Sequence, residues 1–146
     1  MTGDDAGPLP VFVYGTLRPG QPGFDELNLS GRVDRIGPDR VAGTLYDLGD
    51  YPGALLPTAP LQGTGWIVGE LLMPRDADVL ALLDAFELYD PASPDDSEYL
   101  RLPVITEGRV SAWIYTYNFP IHPSRAIPSG DWTNRPAHPG HGPSAG

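Results

Sequence analysis

The sequence predicts an α+β fold, a small mixed β-barrel with one main helix and a few short helical segments. Short apolar runs rich in β-branched and aromatic residues recur between turns that contain Gly or Pro, which is typical of strands. A single stretch carries apolar residues at helical spacing. Because most of the five or more strands are joined by short connections, closing them into a barrel would leave no unpaired edges.

The predicted elements form one domain, residues 11–132. The first strand is 11–14, and residues 24–29 fit either a helical turn or irregular chain. Further strands are expected at residues 41–47, 54–56, 65–72, 99–106 and 110–117. The last two form a hairpin, and Pro103 restricts its first strand to a sheet edge or a bulge.

The one clear helix is predicted over residues 75–86. Asp76 is its expected N-cap. Its apolar stripe consists of Val79, Leu80, Leu82, Leu83 and Phe86.

Both ends of the chain have the composition of unstructured segments. Residues 1–10 are expected to be a flexible leader, and residues 133–146 a disordered tail rich in Pro, Gly and His. His138 and His141 have a spacing seen in metal sites, but no acidic or Cys ligand is near them. We therefore expect no more than adventitious metal binding there.

Composition excludes several classes of function. The chain has 146 residues and a formal charge of −10, which argues against nucleic acid and anionic membranes as partners. It contains no Lys, which excludes Schiff-base and P-loop lysines, and no Cys, which excludes thiol nucleophiles, disulfides and Cys-ligated metals. With no signal peptide and no apolar run of ~20 residues, a cytoplasmic location is expected.

The first strand ends at Gly15, where the backbone can turn sharply and approach a ligand. Pro19 and Gly20 close the loop. Such a loop can direct consecutive backbone N–H groups into one pocket, which suits a carboxylate or an oxyanion. A simple glycine turn after a strand is the alternative. Residues 15–20 have the spacing of a phosphate-binding loop, but Gln21 stands where that motif requires Lys.

Glu87 is the candidate general base. It lies at the C-terminal end of the predicted helix, where the helix dipole opposes its charge, and Phe86 and Leu88 flank it. The helix dipole and the partial desolvation by these two apolar neighbours both raise a carboxyl pKa toward neutrality, as general base catalysis requires. A solvated surface glutamate is the alternative. Asp84 lies one turn earlier, but two carboxyls on one helix do not flank a sugar as glycosidases require, so a structural role is expected for it.

Several segments together carry a resemblance to a known family. They are Tyr14-Gly15-Thr16-Leu17, residues 41–49 with Tyr51-Pro52, Leu83-Asp84-Ala85-Phe86-Glu87, Tyr99-Leu100-Arg101 and Trp113-Ile114-Tyr115-Thr116-Tyr117. In this order they resemble the gamma-glutamylcyclotransferase-like family. Two departures leave substrate specificity open: Leu88 stands where the family often has Gly, and the loop at residues 89–98 is longer than in compact members.

The resemblance implies an enzyme that needs neither metal nor cofactor. The α-amino group of a γ-glutamyl amide would attack its own γ-carbonyl, which releases 5-oxoproline and an amine. Glu87 would act as general acid and base. The substrate-binding residues that the resemblance implies are Tyr14, Gly15, Thr16, Leu17 and Tyr99. For either tyrosine, a core position with a satisfied hydroxyl is the alternative, and a surface or structural ion pair is expected for Arg101.

The implied partner is a small γ-glutamyl substrate. A function of a different class stays open beside catalysis. The chain would then be a binding domain that recognises γ-glutamyl or other amino-acid-like ligands without converting them.

Overall fold

The structure is a computed structural model that describes residues 8–57 and 65–135. Most of the predicted leader, the tail beyond residue 135 with His138 and His141, and the loop at residues 58–64 lie outside the described residues.

The described chain forms seven strands and two α-helices. The strands are β1 (Val11–Val13), β2 (Val33–Ala42), β3 (Thr44–Asp47), β4 (Pro52–Leu55), β5 (Trp66–Pro74), β6 (Tyr99–Ile105) and β7 (Ser111–Tyr117). The helices are α1 (Pro22–Glu26) and α2 (Ala77–Phe86), with short 3₁₀ turns at Leu29–Gly31, Pro94–Asp96 and Pro123–Arg125. The predicted α+β class with one main helix is confirmed.

Five strands form one sheet in the order β2-β5-β1-β7-β6, and β3 pairs with β4 in a separate two-stranded sheet. β1 runs parallel to β7, and the other neighbours are antiparallel. The prediction that the strands close into a barrel is not confirmed, because the larger sheet ends at β2 and β6. Pro103 lies in β6, at an edge, as its missing N–H predicts.

The expected strand at residues 41–47 is divided between the two sheets. β2 begins at Val33, well before the predicted start, and the chain leaves the larger sheet at Gly43. A Cβ at Gly43 would lie 2.6 Å from the carbonyl oxygen of Leu55, so only glycine allows this close approach. The chain thus passes at Gly43 from β2, an edge strand of the larger sheet, into the small sheet.

Two apolar layers cover the faces of the larger sheet. Val11 and Val13 of β1 pack with Val79 and Leu83 of α2 on one face. Phe12, the alternate residue of β1, points to the other face and packs against the small sheet and the segment that follows β7. Asp76 caps α2 as predicted, because its carboxylate accepts the N–H groups of Asp78 and Val79 at 3.0 and 3.3 Å. In the described part of the chain, no helix combines the length and apolar character needed to cross a membrane.

Candidate active site

A cavity of about 260 Å³ lies between the loop after β1, the C-terminal end of α2 and the turn before β4. All the residues that the sequence analysis assigned to the site line it. They are Tyr14, Gly15, Thr16, Leu17, Glu87 and Tyr99. The fold therefore brings together groups that are up to 85 residues apart in the chain, from Tyr14 to Tyr99. Their catalytic and binding roles remain predictions.

Glu87 caps the C-terminus of α2 and faces the cavity. Its backbone N–H donates to the Leu83 carbonyl at 2.9 Å, which fixes where the side chain starts. Within residues 8–57 and 65–135, no group forms a hydrogen bond or ion pair with its carboxylate. Burial, and secondarily the negative charge of Glu98, raise the pKa of Glu87 to about 8. A raised pKa was expected from exclusion of water, and burial is its main cause.

The loop after β1 lines the cavity and contains backbone donors that no described hydrogen bond uses. Its carbonyls are occupied, since that of Gly15 accepts the Arg18 N–H and that of Thr16 accepts the Phe24 N–H, both at 3.1 Å. In contrast, no backbone hydrogen bond among the described residues uses the N–H of Gly15, Thr16 or Leu17 as its donor. These three N–H groups are therefore available to an oxygen atom of a ligand.

Two further contacts hold this loop in position. A Cβ at Gly15 would lie 2.5 Å from Cγ of Pro52, so the close packing of the loop on this first residue of β4 requires glycine. Arg18 pairs with Asp131 at 2.9 Å, with both side chains largely buried. This ion pair ties the loop to the segment that follows β7.

Both predicted site tyrosines are buried, and each donates its hydroxyl proton to the backbone. Tyr14 donates to the Tyr115 carbonyl at 2.6 Å, and Tyr99 donates to the Pro52 carbonyl at 2.7 Å. Burial raises the pKa of both hydroxyls above the usual value, so they stay protonated at neutral pH. Each ring lines the cavity, as the substrate-binding prediction requires. Each hydroxyl, however, is already hydrogen-bonded within the protein, as expected for a core tyrosine.

Asp84 and Arg101 form a structural ion pair beside the cavity, as expected. Arg101 Nε and Nη2 donate to the two Asp84 oxygens at 2.8 and 3.2 Å, and the Tyr115 hydroxyl donates to Oδ1 at 2.6 Å. The guanidinium also stacks over the Trp113 ring at 4.4 Å. These contacts attach the end of α2 to β6 and β7, and so set the position of Glu87.

Sequence reasoning missed several acidic and aromatic residues of the site. Glu98 and Tyr51 line the cavity, and the Tyr51 hydroxyl donates to Glu98 Oε2 at 2.7 Å. This hydrogen bond is the main cause that raises the pKa of Tyr51 to about 12. The end of the loop at residues 89–98 is fixed, because the Glu98 N–H donates to the Leu88 carbonyl at 3.1 Å. One signal was present: Glu98 directly precedes Tyr99, itself a predicted site residue.

Leu88 occupies a backbone conformation that favours glycine. Its φ of 56° lies in the left-handed region, which costs a residue with a Cβ roughly 1–2 kcal/mol. Replacing the family's frequent Gly by Leu at this position therefore acts mainly through the backbone, because the Leu88 side chain is 62% exposed. Among the residues with described positions, no group of three or more His, Asp or Glu is arranged to hold a metal ion.

Comparison with known proteins gives consistent results. A family model described as gamma-glutamyl cyclotransferase, AIG2-like, matches residues 11–134. The gamma-glutamylcyclotransferase family protein YtfP of Escherichia coli K12 is 34% identical over 125 residues, which are 86% of this chain and 96% of that protein.

Two solved structures of similar proteins show the same fold. The solution structure of Escherichia coli ytfP has a TM-score of 0.62 at 31% identity and covers 85% of this chain and 96% of its own. The crystal structure of an AIG2-like protein from Mus musculus has a TM-score of 0.58 at 25% identity, with coverages of 94% and 92%.

Proposed function

The chain belongs to the gamma-glutamyl cyclotransferase, AIG2-like family, and from this premise we propose that it cyclises a γ-glutamyl amide to 5-oxoproline and a free amine. Glu87 is the proposed general acid and base. One observation carries the proposal: an unpartnered carboxylate with a raised pKa shares a cavity with three unused backbone N–H groups. The cytoplasmic location expected from the sequence is part of the same proposal.

In the proposed reaction, Glu87 first takes a proton from the α-ammonium group of the bound substrate. The neutral α-amino nitrogen then attacks the γ-carbonyl carbon, so that a C–N bond closes a five-membered ring and the carbonyl electrons move onto oxygen. Glu87 next donates its proton to the amide nitrogen as the tetrahedral intermediate collapses and the original C–N bond breaks. The second proton of the ring nitrogen passes through the Glu87 carboxylate to the departing amine, which leaves as an ammonium ion. No water is consumed, no group is oxidised or reduced, and the carboxylate is regenerated.

The loop after β1 supplies the proposed oxyanion site. The N–H groups of Gly15, Thr16 and Leu17 would stabilise the negative charge on the γ-oxygen, and one such donor is typically worth about 3–4 kcal/mol of transition-state stabilisation. Because the nucleophile belongs to the substrate, proximity contributes without a covalent enzyme intermediate. The buried rings of Tyr14 and Tyr99 contribute apolar walls that exclude water from Glu87.

The test is release of 5-oxoproline from γ-glutamyl amides by the wild-type chain and by Glu87→Gln. We expect the substitution to lower kcat by about 10²–10⁴, the usual contribution of a general acid or base. Glu107→Gln is the control, since Glu107 pairs with Arg40 at 2.6 Å on an exposed surface and does not line the cavity. Full turnover by the Glu87 variant would exclude the residue from the mechanism.

The pH dependence of kcat/KM provides a second test of the same residue. The free protein must lose the Glu87 proton to act as base, so kcat/KM should rise with pH through a midpoint of about 8. It should fall again at the higher pH where the substrate loses the α-ammonium proton that Glu87 takes up. Removing the nearby negative charge with Glu98→Gln should lower the pKa of Glu87 and move the midpoint to lower pH. An unchanged midpoint in this variant would contradict the assignment.

A binding domain without turnover is the second candidate. It is favoured by the two tyrosine hydroxyls, whose protons are donated to the backbone, so that neither can donate to a substrate. Thermal stabilisation by γ-glutamyl amides without any 5-oxoproline would support this function and exclude catalysis.

A further inference from the structure

The segment that follows β7, residues 123–135, is attached to both sheets. The Ile127 N–H donates to the Leu45 carbonyl of β3 at 2.7 Å, and the Gly130 carbonyl accepts the Val68 N–H of β5 at 2.8 Å. Of the described residues that line the cavity, none belongs to this segment. The segment is therefore a fixed element of the fold that lies outside the cavity.

Asp131 has a fixed position within this segment. The next residue, Trp132, is 3% exposed and belongs to the same apolar layer as Tyr14, which directly precedes the loop after β1. Oδ1 of Asp131 accepts the Thr133 N–H at 2.9 Å and the Thr133 hydroxyl at 2.7 Å. The backbone and the carboxylate of Asp131 are therefore both held by contacts that do not involve the loop.

Arg18 connects this carboxylate to the loop after β1. Its Nη1 donates to the same Oδ1 atom at 2.9 Å, and the two side chains of the pair are only 15% and 25% exposed. A charged hydrogen bond that is largely shielded from water is stronger than an exposed one. The Arg18 N–H in turn donates to the Gly15 carbonyl at 3.1 Å and closes the turn that contains Thr16 and Leu17. A displacement of Arg18 would therefore displace the unused N–H groups of this turn.

We propose that Asp131 is a positioning residue, which acts through Arg18 to hold the N–H groups of the loop after β1 where the γ-oxygen of the substrate binds. This inference rests on the proposed function, because it gives the ion pair a consequence for the reaction. A misplacement of about 1 Å at a catalytic group can cost about 10²-fold in rate. A pair that only stabilised the fold would change the fraction of folded protein, whereas a positioning pair changes the reactivity of each folded molecule.

The test compares the γ-glutamyl amide of propylamine with its γ-thioamide. Sulfur accepts hydrogen bonds more weakly than oxygen. The ratio of kcat/KM for the oxygen compound to that for the sulfur compound therefore reports how well the N–H groups are placed around the γ-oxygen. Partial unfolding of a variant would lower both values in the same proportion and leave this ratio unchanged.

Two variants break the pair from opposite sides. Asp131→Asn removes the charge opposite Arg18 but keeps an oxygen that can accept from Thr133, and we expect it to reduce the oxygen-to-sulfur ratio by about tenfold. Arg18→Met should reduce the ratio by the same factor, and the double variant should be no worse than either single variant, because both remove one interaction. If Asp131→Asn fails to fold, Arg18→Met decides alone.

Thr133→Val is the matched control. It removes a different hydrogen bond to the same Asp131 oxygen, at an exposed residue, and leaves the pair with Arg18 in place. It should keep the wild-type ratio. An unchanged ratio in the variants that break the pair, or an equal reduction in Thr133→Val, would overturn the positioning role and leave the proposed reaction standing.

A measurement without substrate separates this inference from the proposed reaction. Absence of turnover in the wild-type chain would count against the reaction, and backbone ¹⁵N order parameters of residues 15–18 would then decide the positioning role. We expect values of about 0.85 in wild type and in Thr133→Val, and below about 0.6 in Asp131→Asn and Arg18→Met. Equal values in the four proteins would overturn the positioning role.

Discussion

Two carboxylates on the same helix, three residues apart, have opposite surroundings. Asp84 receives hydrogen bonds from Arg101 and from the Tyr115 hydroxyl. Glu87 receives none from the described residues and faces the cavity, where burial raises its pKa to about 8. The difference separates two uses of a carboxylate: one that is fully paired attaches the helix to the sheet, and one left without a cation is able to exchange a proton near neutral pH.

Tyr115 connects these two regions. Its hydroxyl donates to Asp84, and its carbonyl accepts the hydroxyl of Tyr14, whose ring lines the cavity. A disturbance of the paired carboxylate should therefore reach the cavity, whereas a change at Glu87 should leave the rest of the fold intact.

The largest loss of stability is expected for Asp84→Ala. The substitution leaves Arg101, whose side chain is only 16% exposed, without its carboxylate, and should lower the free energy of unfolding by about 3 kcal/mol. Urea denaturation measures the change. The control is Asp34→Ala, which breaks the exposed pair with Arg75 and should cost about 0–1 kcal/mol. Equal costs for the two variants would show that the Asp84 pair is not an anchor.

Glu87→Gln should instead stabilise the protein relative to wild type, by an amount that depends on pH. The pKa of Glu87 is raised from 4.5 to about 8 on folding, so both forms should be equally stable below pH 4.5. Between these values the unfolded chain ionises while the folded protein holds the proton. Wild-type stability should therefore fall relative to the variant by up to about 1.4 kcal/mol per pH unit. Above about pH 8 the difference in the free energy of unfolding between the two proteins should remain constant, and urea denaturation at several pH values measures it.

Glu107→Gln provides the control of opposite sign. A hydrogen bond from Arg40 lowers the pKa of Glu107, so its charge contributes stability above the unfolded value, and that stability is lost as the pH falls. This variant should be less stable than wild type at neutral pH, whereas Glu87→Gln should be more stable. The same sign in both variants would contradict the contrast between paired and unpaired carboxylates.

A smaller effect is expected for Tyr14→Phe. The substitution keeps the ring but removes the hydrogen bond to the buried Tyr115 carbonyl, which should cost about 1–2 kcal/mol in thermal or urea unfolding. Because this hydroxyl is committed to the backbone, we expect only a modest loss of 5-oxoproline release. A loss of turnover as large as that of Glu87→Gln, with stability unchanged, would instead give the hydroxyl a chemical role.

The smallest change, and one of opposite sign, is expected for Leu88→Gly. The substitution relieves the left-handed backbone at φ 56° and removes a side chain that is mostly exposed, so it should stabilise the protein by about 1 kcal/mol. An increase in the melting temperature measures it. Destabilisation would show that the Leu88 side chain contributes packing that exceeds the cost of its backbone conformation.

Local patterns were sufficient to predict most elements of the fold. The apolar stripe and the Asp76 cap identified α2, and Pro103 identified an edge strand. The departure of β3 from the larger sheet could not be predicted, since the need for Gly43 arises from Leu55, a residue of a different strand.

The site followed from the sequence only in part, for a similar reason. Glu87 was found because the end of a helix is a local property, and the family pattern supplied the loop after β1. The contributions of Tyr51 and Glu98 depend on a contact across 47 residues of chain, which no local pattern encodes. The main cause of the raised pKa, burial by packing, is likewise a property of the folded chain.

The measurement that tests this account most directly is a ¹³C NMR titration of the Glu87 carboxyl in protein labelled at the glutamate side chains. The resonance is assigned by its absence from the spectrum of Glu87→Gln. The account predicts a titration midpoint of about pH 8. A midpoint near 4.5, the value of an ordinary glutamate, would mean that Glu87 is solvated and cannot be the base at the centre of the site.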